Sequence, residues 1–451
     1  MCPTALLWKQ ASQRPRAMSN SKECGGRHAI TATLLTGGVD RPYALGLARQ
    51  LVSKEVDLDF IASDELDSPE LRSTPGINFL HLRGDQSPNV GLAQKVSRTC
   101  AYYARLIRYA ATAEPRIFHV LWNNKFELLD RTVLILYYKV LGKKIVLTVH
   151  NVNARKRDAK DSLLNRITLR MQYQLADHIF VHTDKMKTEL SEEFRVRASR
   201  VTVIPFGINN EVPNTSLTPD KAKQRLGIRR GEKTILFFGK VRPYKGLEYL
   251  VTAFLDLAAR SEDYRLVVAG MPGKGCEEYW DTIRERIGRC VEEGRALVRA
   301  DFIPDDEIEL YLKAADLLVL PYRSVYESGV LFLGYNFGLP VIAADVGSVR
   351  SEIVEGKTGF VFKPEDPTAL AQTIERYFNS DLYHDLNNRR QGIRAFAANR
   401  HSWDVVGQIT KGVYASLLLT NSAAVSPKEG VEQSSTPGPL QEGAERNSEC
   451  S

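Results

Sequence analysis

Residues 317–348 have the sequence LLVLPYRSVYESGVLFLGYNFGLPVIAADVGS, in which the apolar runs Leu317–Leu320 and Pro340–Ala343 flank a loop and an apolar helix. A short uninterrupted apolar run is typical of a strand that is buried on both faces. Strand, helix and strand in succession predict a parallel β–α–β unit. This stretch therefore predicts an α/β fold with helices on both faces of a parallel sheet.

The same alternation extends outward from this unit in both directions. The other strands predicted for the same series are Thr234–Phe238, Arg265–Ala269, Ala296–Phe302 and Gly359–Phe362. An earlier series predicts strands at His28–Leu35, Val56–Ala62, Arg116–Leu121, Lys144–His150, His178–His182 and Val201–Ile204. Two such series predict two doubly wound domains, and ligands bind such domains at the carboxyl ends of the strands.

The polar segment Asn209–Thr218 separates the two series, and polar tails flank them. We predict a first domain at 28–208 and a second domain at 209–400. The remaining predictions are a disordered tail at 1–27, a helix at 401–420 with a possible return to the first domain, and a disordered tail at 421–451.

Composition excludes several classes of protein. Of 451 residues, 43% are apolar and 25% charged, which is typical of a globular enzyme, and no run approaches the ~20 apolar residues of a bilayer-spanning helix. The six cysteines are scattered without a CxxC pair. We therefore predict a reduced, cytoplasmic protein without structural zinc.

Positive charge is concentrated in the first domain. The net charge is +7, and Lys95–Arg200 contains 21 basic and 10 acidic residues. Arg and Lys alternate there with Tyr and Leu on predicted amphipathic helices, which favours an anionic membrane surface or a lipid-linked phosphate as partner. Peripheral attachment to the inner face of the membrane would follow; the simpler alternative is a solvated basic face. Nucleic acid is not an expected partner, because no binding motif accompanies the charge.

Two glycine-containing turns that follow predicted strands are suited to binding phosphate groups. Gly37 and Gly38 let the backbone approach a phosphate closely beside a helix N-terminus. In ILFFGKVRPYKG, Lys240 and Lys245 precede a predicted helix start at Gly246. Two ammonium groups in such a loop can hold a diphosphate from two sides. A ligand-free turn and a solvated basic loop are the simpler alternatives.

Polar residues also follow two of the predicted buried strands. Ser328, Gly329 and Val330 would place N–H groups at the start of the apolar helix, where such groups meet anionic or hydroxyl-rich ligands. Glu327, just before them, can accept hydrogen bonds from sugar hydroxyls or simply stabilise the helix dipole. His150, at the predicted end of its strand, is positioned to meet a substrate in the cleft.

These elements, in this order, resemble the retaining nucleotide-sugar glycosyltransferases of the GT-B fold, glycosyltransferase family 4. The resemblance covers roughly residues 29–400 and depends on collinear motifs. In chain order these are the Gly37–Gly38 turn, TVHN, ADHIFVHTDKMKTEL, VIPFGIN, FFGKVRPYKG, VVAG, AADLLVLPYRS, GLPVIAADVGS and EIVEGKTGFVFKPEDPTAL. The resemblance implies two Rossmann-like domains that face an interdomain cleft.

The resemblance also implies roles for the matching residues. Lys240 and Lys245 would hold the donor diphosphate and stabilise its charge as it leaves. His150 would contact the transferred sugar, and Glu327 is a further candidate at the reacting centre. The other implied donor-binding positions are Gly37, Gly38, Gly270, Ser328, Gly329 and Val330.

The implied activity is transfer of a sugar from a nucleotide-sugar donor to a glycan or lipid-linked acceptor, with retention of anomeric configuration. Polysaccharide or glycoconjugate biosynthesis is the expected setting. Because Lys240 and Lys245 can meet the leaving charge, we predict that no metal ion is needed. No cofactor is expected beyond the donor, which is a substrate.

One departure from the family pattern bears on activity. The family has two glutamates eight positions apart before a GLP-type segment, and the second binds the nucleotide ribose. Val325 and Leu333 occupy those places here. The main alternative is therefore a catalytically inactive binding or scaffolding partner of a glycosyltransferase. The others are a sugar-nucleotide epimerase, which needs a pair of acids, and a phosphorylase, which needs a lysine-bound pyridoxal phosphate.

Overall fold

The computed structural model describes residues 30–37, 41–63, 66–84, 91–124, 126–157, 160–208 and 212–422. The predicted tail at 1–27 and residues 423–451 of the other predicted tail lie outside these ranges. The described residues form two parallel sheets in succession, with helices against both faces, as the alternating pattern predicts.

The first sheet has seven parallel strands in the order β3-β2-β1-β4-β5-β6-β7. They are β1 (Ile30–Leu35), β2 (Val56–Ile61), β3 (Ile77–Leu80), β4 (Ile117–Val120), β5 (Lys144–Thr148), β6 (His178–Val181) and β7 (Val201–Val203). The sequence analysis misses β3, because this four-residue strand lies at the sheet edge, is only partly buried and has no continuous apolar run. The other six strands are confirmed.

The helices of the first domain begin at recognisable caps. Ser162 and Thr183 each accept a hydrogen bond from a backbone N–H one turn later, which stabilises the helix starts that follow them. The helices are α1 (Arg41–Ser53), α2 (Pro69–Ser73), α3 (Leu92–Thr112), α4 (Glu127–Leu129), α5 (Ile135–Val140), α6 (Ala154–Arg157), α7 (Leu163–Leu175) and α8 (Asp184–Phe194), with a π-helical turn at Asp130–Leu134 between α4 and α5.

The second sheet has six parallel strands in the order β10-β9-β8-β11-β12-β13. They are β8 (Lys233–Phe238), β9 (Tyr264–Ala269), β10 (Ala296–Arg299), β11 (Leu317–Leu320), β12 (Val341–Ala344) and β13 (Gly359–Phe362). All six were predicted, although several ends shift by one to three residues. The strand order reverses at β8 here and at β1 in the first sheet, and ligands bind at such switch points.

The second domain supplies the remaining helices. They are α9 (Pro219–Arg225), α10 (Leu247–Arg260), α11 (Glu277–Glu292), α12 (Asp305–Ala314), α13 (Gly329–Asn336), α14 (Val349–Glu352), α15 (Pro367–Phe378), α16 (Asp381–His384) and α17 (Leu386–Arg400), followed by α18 (Trp403–Ser422). Among the described helices, none is long and apolar enough to span a bilayer.

Helix α18 lies on the first domain, although it follows the second. The Trp403 indole N–H donates to the Ile208 carbonyl at 2.8 Å, and its ring lies where a Cβ at Gly46 or Gly207 would clash at 2.4 and 2.3 Å. The Tyr414 hydroxyl lies 2.7 Å from Nδ1 of buried His119. These contacts hold helix α18 against the first domain.

Both faces of the first sheet are buried. On β5, Ile145 and Leu147 belong to one apolar core, whereas Val146 belongs to the core on the opposite face, together with Tyr414 of α18. Side chains alternate along a strand, so a strand covered on both sides buries side chains in both directions and is mostly apolar. This explains why β5 begins with the apolar run Ile145–Leu147 after Lys144.

Candidate active site between the two domains

A cavity of about 270 Å³ lies between the domains, at the carboxyl ends of β4, β5, β8 and β11. The structure brings together there six of the residues predicted from the sequence: His150, Lys245, Glu327, Ser328, Gly329 and Val330. Trp122 and Phe206 from the first domain and Tyr322 from the second complete much of the wall. A cleft that collects polar groups from both sheets is the expected place for a ligand.

Two larger recesses differ from this cavity in position or in lining. One, of about 840 Å³, lies at the amino ends of β1, β2 and β3, where ligands of such sheets do not bind. The other, of about 820 Å³, is lined mainly by charged surface side chains of α8 and the loop at Arg323. We therefore assign the candidate active site to the smaller interdomain cavity.

His150 lies on a loop, because β5 ends at Thr148, two residues before the predicted strand end. Its ring stacks on Trp122 with the centroids 4.3 Å apart, and its Nδ1 lies 3.1 Å from Nε2 of His182. Nδ1 of His182 lies 3.3 Å from the Ile204 carbonyl oxygen. These contacts fix the ring in the wall of the cavity.

The hydrogen-bond chain assigns the tautomers of both rings. A carbonyl only accepts, so His182 carries its proton on Nδ1 and accepts at Nε2 from Nδ1–H of His150. Burial lowers the pKa of His182 to about 4 and the pKa of His150 well below its usual value, so both rings are neutral. Nε2 of His150 is then a lone-pair acceptor, and no described residue bonds to it.

The two predicted lysines differ in their placement. Lys245 closes a 3-10 turn just before α10, is 8% exposed, and holds its ammonium 5.7 Å from the centre of the Tyr322 ring. Gly246 has φ 64°, and a Cβ there would lie 2.0 Å from the Pro321 carbonyl oxygen, so glycine is required for this turn. Lys240 is exposed and does not line the cavity.

Helix α13 points its N-terminus at the cavity. Ser328 is the N-cap, and its hydroxyl accepts from the Leu331 N–H at 3.4 Å while lying 3.1 Å from the Tyr322 hydroxyl. Gly329 and Val330 occupy the first turn, where backbone N–H groups have no partner within the helix. This helix end is positive and suited to an anionic ligand.

Among the described residues that line the cavity, Glu327 has the only carboxyl group. Burial, reinforced by the nearby Glu352, raises the pKa of Glu327 well above its usual value. Glu352 itself accepts from His401 and Arg400, both at 2.9 Å, and these partners lower its pKa. The raised pKa favours the protonated form of Glu327, which can donate a hydrogen bond.

The family's two glutamate positions carry no carboxylate here. Val325 lines the cavity, and Leu333 is 6% exposed within the core of the second domain. Val325 and Leu333 are thus apolar where the family pattern has glutamates, and the carboxyl group at the cavity comes from Glu327 instead.

The predicted glycines have structural roles where they are described. A Cβ at Gly37 would lie 2.6 Å from Trp122, and a Cβ at Gly270 would lie 2.3 Å from the Gly239 carbonyl oxygen. Gly37 thus lets Trp122 approach the end of β1, and Gly270 lets β8 and β9 end side by side; neither lines the cavity. Gly38 lies outside the described residues.

Sequence reasoning missed the aromatic part of the site. Trp122 directly follows the predicted strand Arg116–Leu121, Phe206 lies within VIPFGIN at the domain junction, and His182 was predicted only as the end of a strand. Their positions after strands were the available signal. Nothing in the sequence indicated that the rings would stack around His150.

Comparison with known proteins identifies the family of this chain. The family model described as "Glycosyltransferase Family 4" matches residues 36–212, and the one described as "Glycosyl transferases group 1" matches residues 219–394. The D-inositol 3-phosphate glycosyltransferase of Acidothermus cellulolyticus is 24% identical, with 86% of this chain and 87% of the relative covered. That of Corynebacterium diphtheriae is 23% identical, with 84% and 90% covered.

Solved structures share the fold at low sequence identity. Sucrose-phosphate synthase from Thermosynechococcus elongatus superimposes with a TM-score of 0.67 at 18% identity, with 87% of this chain and 99% of that chain covered. Anabaena Alr3699/HepE, in complex with UDP and glucose, gives a TM-score of 0.67 at 18% identity, with 86% and 100% covered. The two family models together span most of the chain, one on each domain. The chain therefore belongs to the family 4, group 1 glycosyltransferases and has their GT-B fold.

Proposed function

We propose that the protein transfers a sugar from a nucleotide-sugar donor to a glycan or lipid-linked acceptor, with retention of anomeric configuration and without a metal ion. The observation that carries this proposal is the interdomain cavity, which combines the Lys245 ammonium, the N-terminus of α13 and the acceptor nitrogen of His150. Solved neighbours in complex with UDP, or with UDP-glucose, support a donor of this chemical class.

In the proposed reaction the acceptor hydroxyl attacks the anomeric carbon as the bond to the nucleoside diphosphate breaks. The hydroxyl proton passes to the departing phosphate oxygen. Lys245 and the N–H groups of Gly329 and Val330 stabilise the negative charge that develops there, and losing one such group typically costs ~10²–10³ in rate. Lys240, exposed in the same loop, supplies a second cation to the diphosphate.

His150 and Glu327 would hold the sugar in this scheme. Nε2 of neutral His150 accepts from one sugar hydroxyl, and the protonated Glu327 donates to a sugar oxygen. Neither group removes a proton, which is why the departing phosphate is the proposed base.

We also propose that the protein works in the cytoplasm at the inner face of an anionic membrane, in polysaccharide or glycoconjugate synthesis. Of the sixteen large apolar side chains that are exposed in the described residues, eight fall between residues 126 and 167. Val133 and Val140 form part of a stripe on α5 and the turn before it, and Leu163 and Ile167 form part of another on α7. Arg166 and Arg170 border the α7 stripe, which fits an anionic lipid surface.

Co-sedimentation with vesicles tests this surface. We expect binding to phosphatidylglycerol vesicles, weak binding to phosphatidylcholine, and loss of binding in the double variant Leu163→Glu plus Ile167→Glu. Phe302→Glu is the control, since Phe302 is 68% exposed on the second domain. Equal loss in the control, or no binding by the wild type, would contradict the membrane proposal.

The main alternative is an inactive binding or scaffolding protein, favoured by the apolar residues Val325 and Leu333. We would screen UDP-, GDP- and ADP-sugars for release of nucleoside diphosphate in the presence of EDTA. We expect release from one donor, abolished by Lys245→Ala and kept by Lys363→Ala, because Lys363 is 79% exposed away from the cavity. Donor binding without any release, in the presence of candidate acceptors, would favour the alternative.

A further inference from the structure

The recess of about 840 Å³ at the amino ends of β1, β2 and β3 is an open part of one face of the first sheet. On this face Leu35 and Ile61, at the carboxyl ends of β1 and β2, share a core with Leu106 of α3. Two strand periods earlier, the same face carries Thr31 and Asp57, which line the recess. Parallel sheets are normally covered on both faces, so this open half is suited to a further segment of chain.

The lining of this recess is acidic. Among the described residues that line it, Asp57, Asp59 and Glu114 are charged and none is basic, so we call it the acidic recess. Asp59 is held by its neighbours, because its carboxylate accepts from the Tyr109 hydroxyl at 2.6 Å and from the Asn78 amide at 2.7 Å. The side chains of Asp57 and Glu114 are exposed.

The bases next to the acidic recess leave most of its charge in place. Lys143 is buried behind it, and its ammonium donates to the carbonyl oxygens of Ala113 at 2.5 Å and Pro115 at 3.0 Å. Its charge compensates that of Asp59, which it attracts. Arg116 is exposed and does not line the recess. The two exposed carboxyl groups therefore give the recess its negative charge.

The chain enters the first sheet at the acidic recess, because β1 begins at Ile30 and the next residue lines the recess. A chain spans at most ~3.3–3.6 Å per residue, so Arg27 lies within about 11 Å of Ile30 and Lys22 within about 29 Å. Residues 14–27 contain four basic residues and one acidic residue. A basic segment is thus tethered at the mouth of an acidic recess.

We infer that the acidic recess is the docking site of residues 14–27 of the same chain, whose basic side chains pair with Asp57 and Glu114. Exposed ion pairs are individually weak, but the tether gives the segment a high effective concentration at the recess. Docking there covers the open half of the sheet face. It lies at the opposite edge of the sheet from the interdomain cavity, so it is independent of the proposed sugar transfer.

The experiment measures cleavage of the full chain after Glu23 by a glutamyl endopeptidase at low salt. Each rate is divided by that of a free peptide of residues 18–29 with the same substitutions. Cleavage follows the undocked population. We expect Asp57→Asn plus Glu114→Gln, and separately Lys22→Gln plus Arg27→Gln, to be cleaved at least about threefold faster than the wild type. The protein with all four substitutions should be cleaved no faster than either pair.

The control is Asp281→Asn plus Glu285→Gln, which removes two exposed carboxyl groups from α11 and should be cleaved at the wild-type rate. In about 1 M NaCl, where the Debye length is about 3 Å, the wild type should lose its protection. Equal rates for the wild type and Asp57→Asn plus Glu114→Gln at low salt, or multiplied effects in the fourfold variant, would overturn the inference. Protection that grows with protein concentration would assign the recess to the segment of a second copy and would overturn docking within one chain.

Discussion

The Tyr326 hydroxyl donates to the Glu189 carboxylate, with oxygen–oxygen distances of 2.6 and 2.8 Å, and so joins the second domain to α8 of the first. The Tyr326 ring also packs against the core of the first domain. Tyr326 immediately precedes Glu327 and Ser328, so this bond fixes the loop that supplies one side of the cavity. The contact thus couples the relative position of the domains to the geometry of the site.

We predict that Tyr326→Phe weakens nucleotide binding about tenfold, because a hydrogen bond to a charged group contributes ~1.5–3 kcal/mol. The matched control is Tyr249→Phe, which removes a similar 2.7 Å bond to Glu365 within the second domain. Calorimetric titration of the nucleoside diphosphate measures both. Equal affinities for the two variants would show that the bridge does not hold the loop.

A second prediction concerns Glu327. Because its pKa is raised, Glu327→Gln keeps the neutral donor and should retain activity within about threefold, whereas Glu327→Ala should lose at least about tenfold. The neutral acid exists below its raised pKa, so wild-type activity should fall as pH rises through that value. The fall should be absent in Glu327→Gln. A pH–rate profile that is identical in the two proteins would contradict this role.

Stability should fall in acid because buried histidines are neutral in the folded protein. Burial lowers the pKa of His119 to about 3 and of His182 to about 4, against ~6.5 when unfolded. The unfolded chain therefore binds more protons below ~6.5, and stability is lost as pH falls from there toward 4.

Urea unfolding at pH ~7 and pH ~5 measures this loss, which is about 2 kcal/mol for each such histidine at the lower pH. In His119→Gln the difference between the two pH values should shrink by about that amount. The control is His81→Gln, which replaces a histidine on the exposed surface instead of in the core. No change in His119→Gln would mean that His119 is protonated in the folded state.

A fourth prediction concerns the close approach of β8 and β9. Gly270→Ala should destabilise the protein by more than about 2 kcal/mol, because its Cβ would lie 2.3 Å from the Gly239 carbonyl oxygen at φ 145°. Gly288→Ala, in α11 with no atom within 4 Å of the new Cβ, should be neutral or stabilise by ~0.5–1 kcal/mol. Thermal unfolding of the two variants provides the comparison.

Much of the fold is encoded locally in the sequence. Strands β8 and β11 are buried on both faces. Burial on both faces requires a nearly continuous run of apolar residues, and such a run can be recognised in the sequence. The strand β3 was missed because edge strands lack this pattern. Lys245 and Ser328 follow strands that end at the same edge of one sheet, and both line the cavity.

Other features of the site depend on tertiary packing that local patterns do not contain. The exposure of Lys240 and the burial of Lys245 are set by the 3-10 turn between them. The raised pKa of Glu327 depends on its burial and, to a smaller extent, on Glu352, which is 25 positions further along the chain. Likewise, the tautomer of His150 depends on His182 and on the Ile204 carbonyl group.

The most direct test of the central claim is the affinity of the protein for UDP, GDP and ADP, compared with the matching nucleosides, in the wild type and in Lys245→Ala. We predict that one diphosphate binds much more tightly than its nucleoside, and that Lys245→Ala loses at least about tenfold of this preference while Lys363→Ala keeps it. If Lys245→Ala bound the diphosphate as tightly as the wild type, the cavity would not be the site that holds the leaving group.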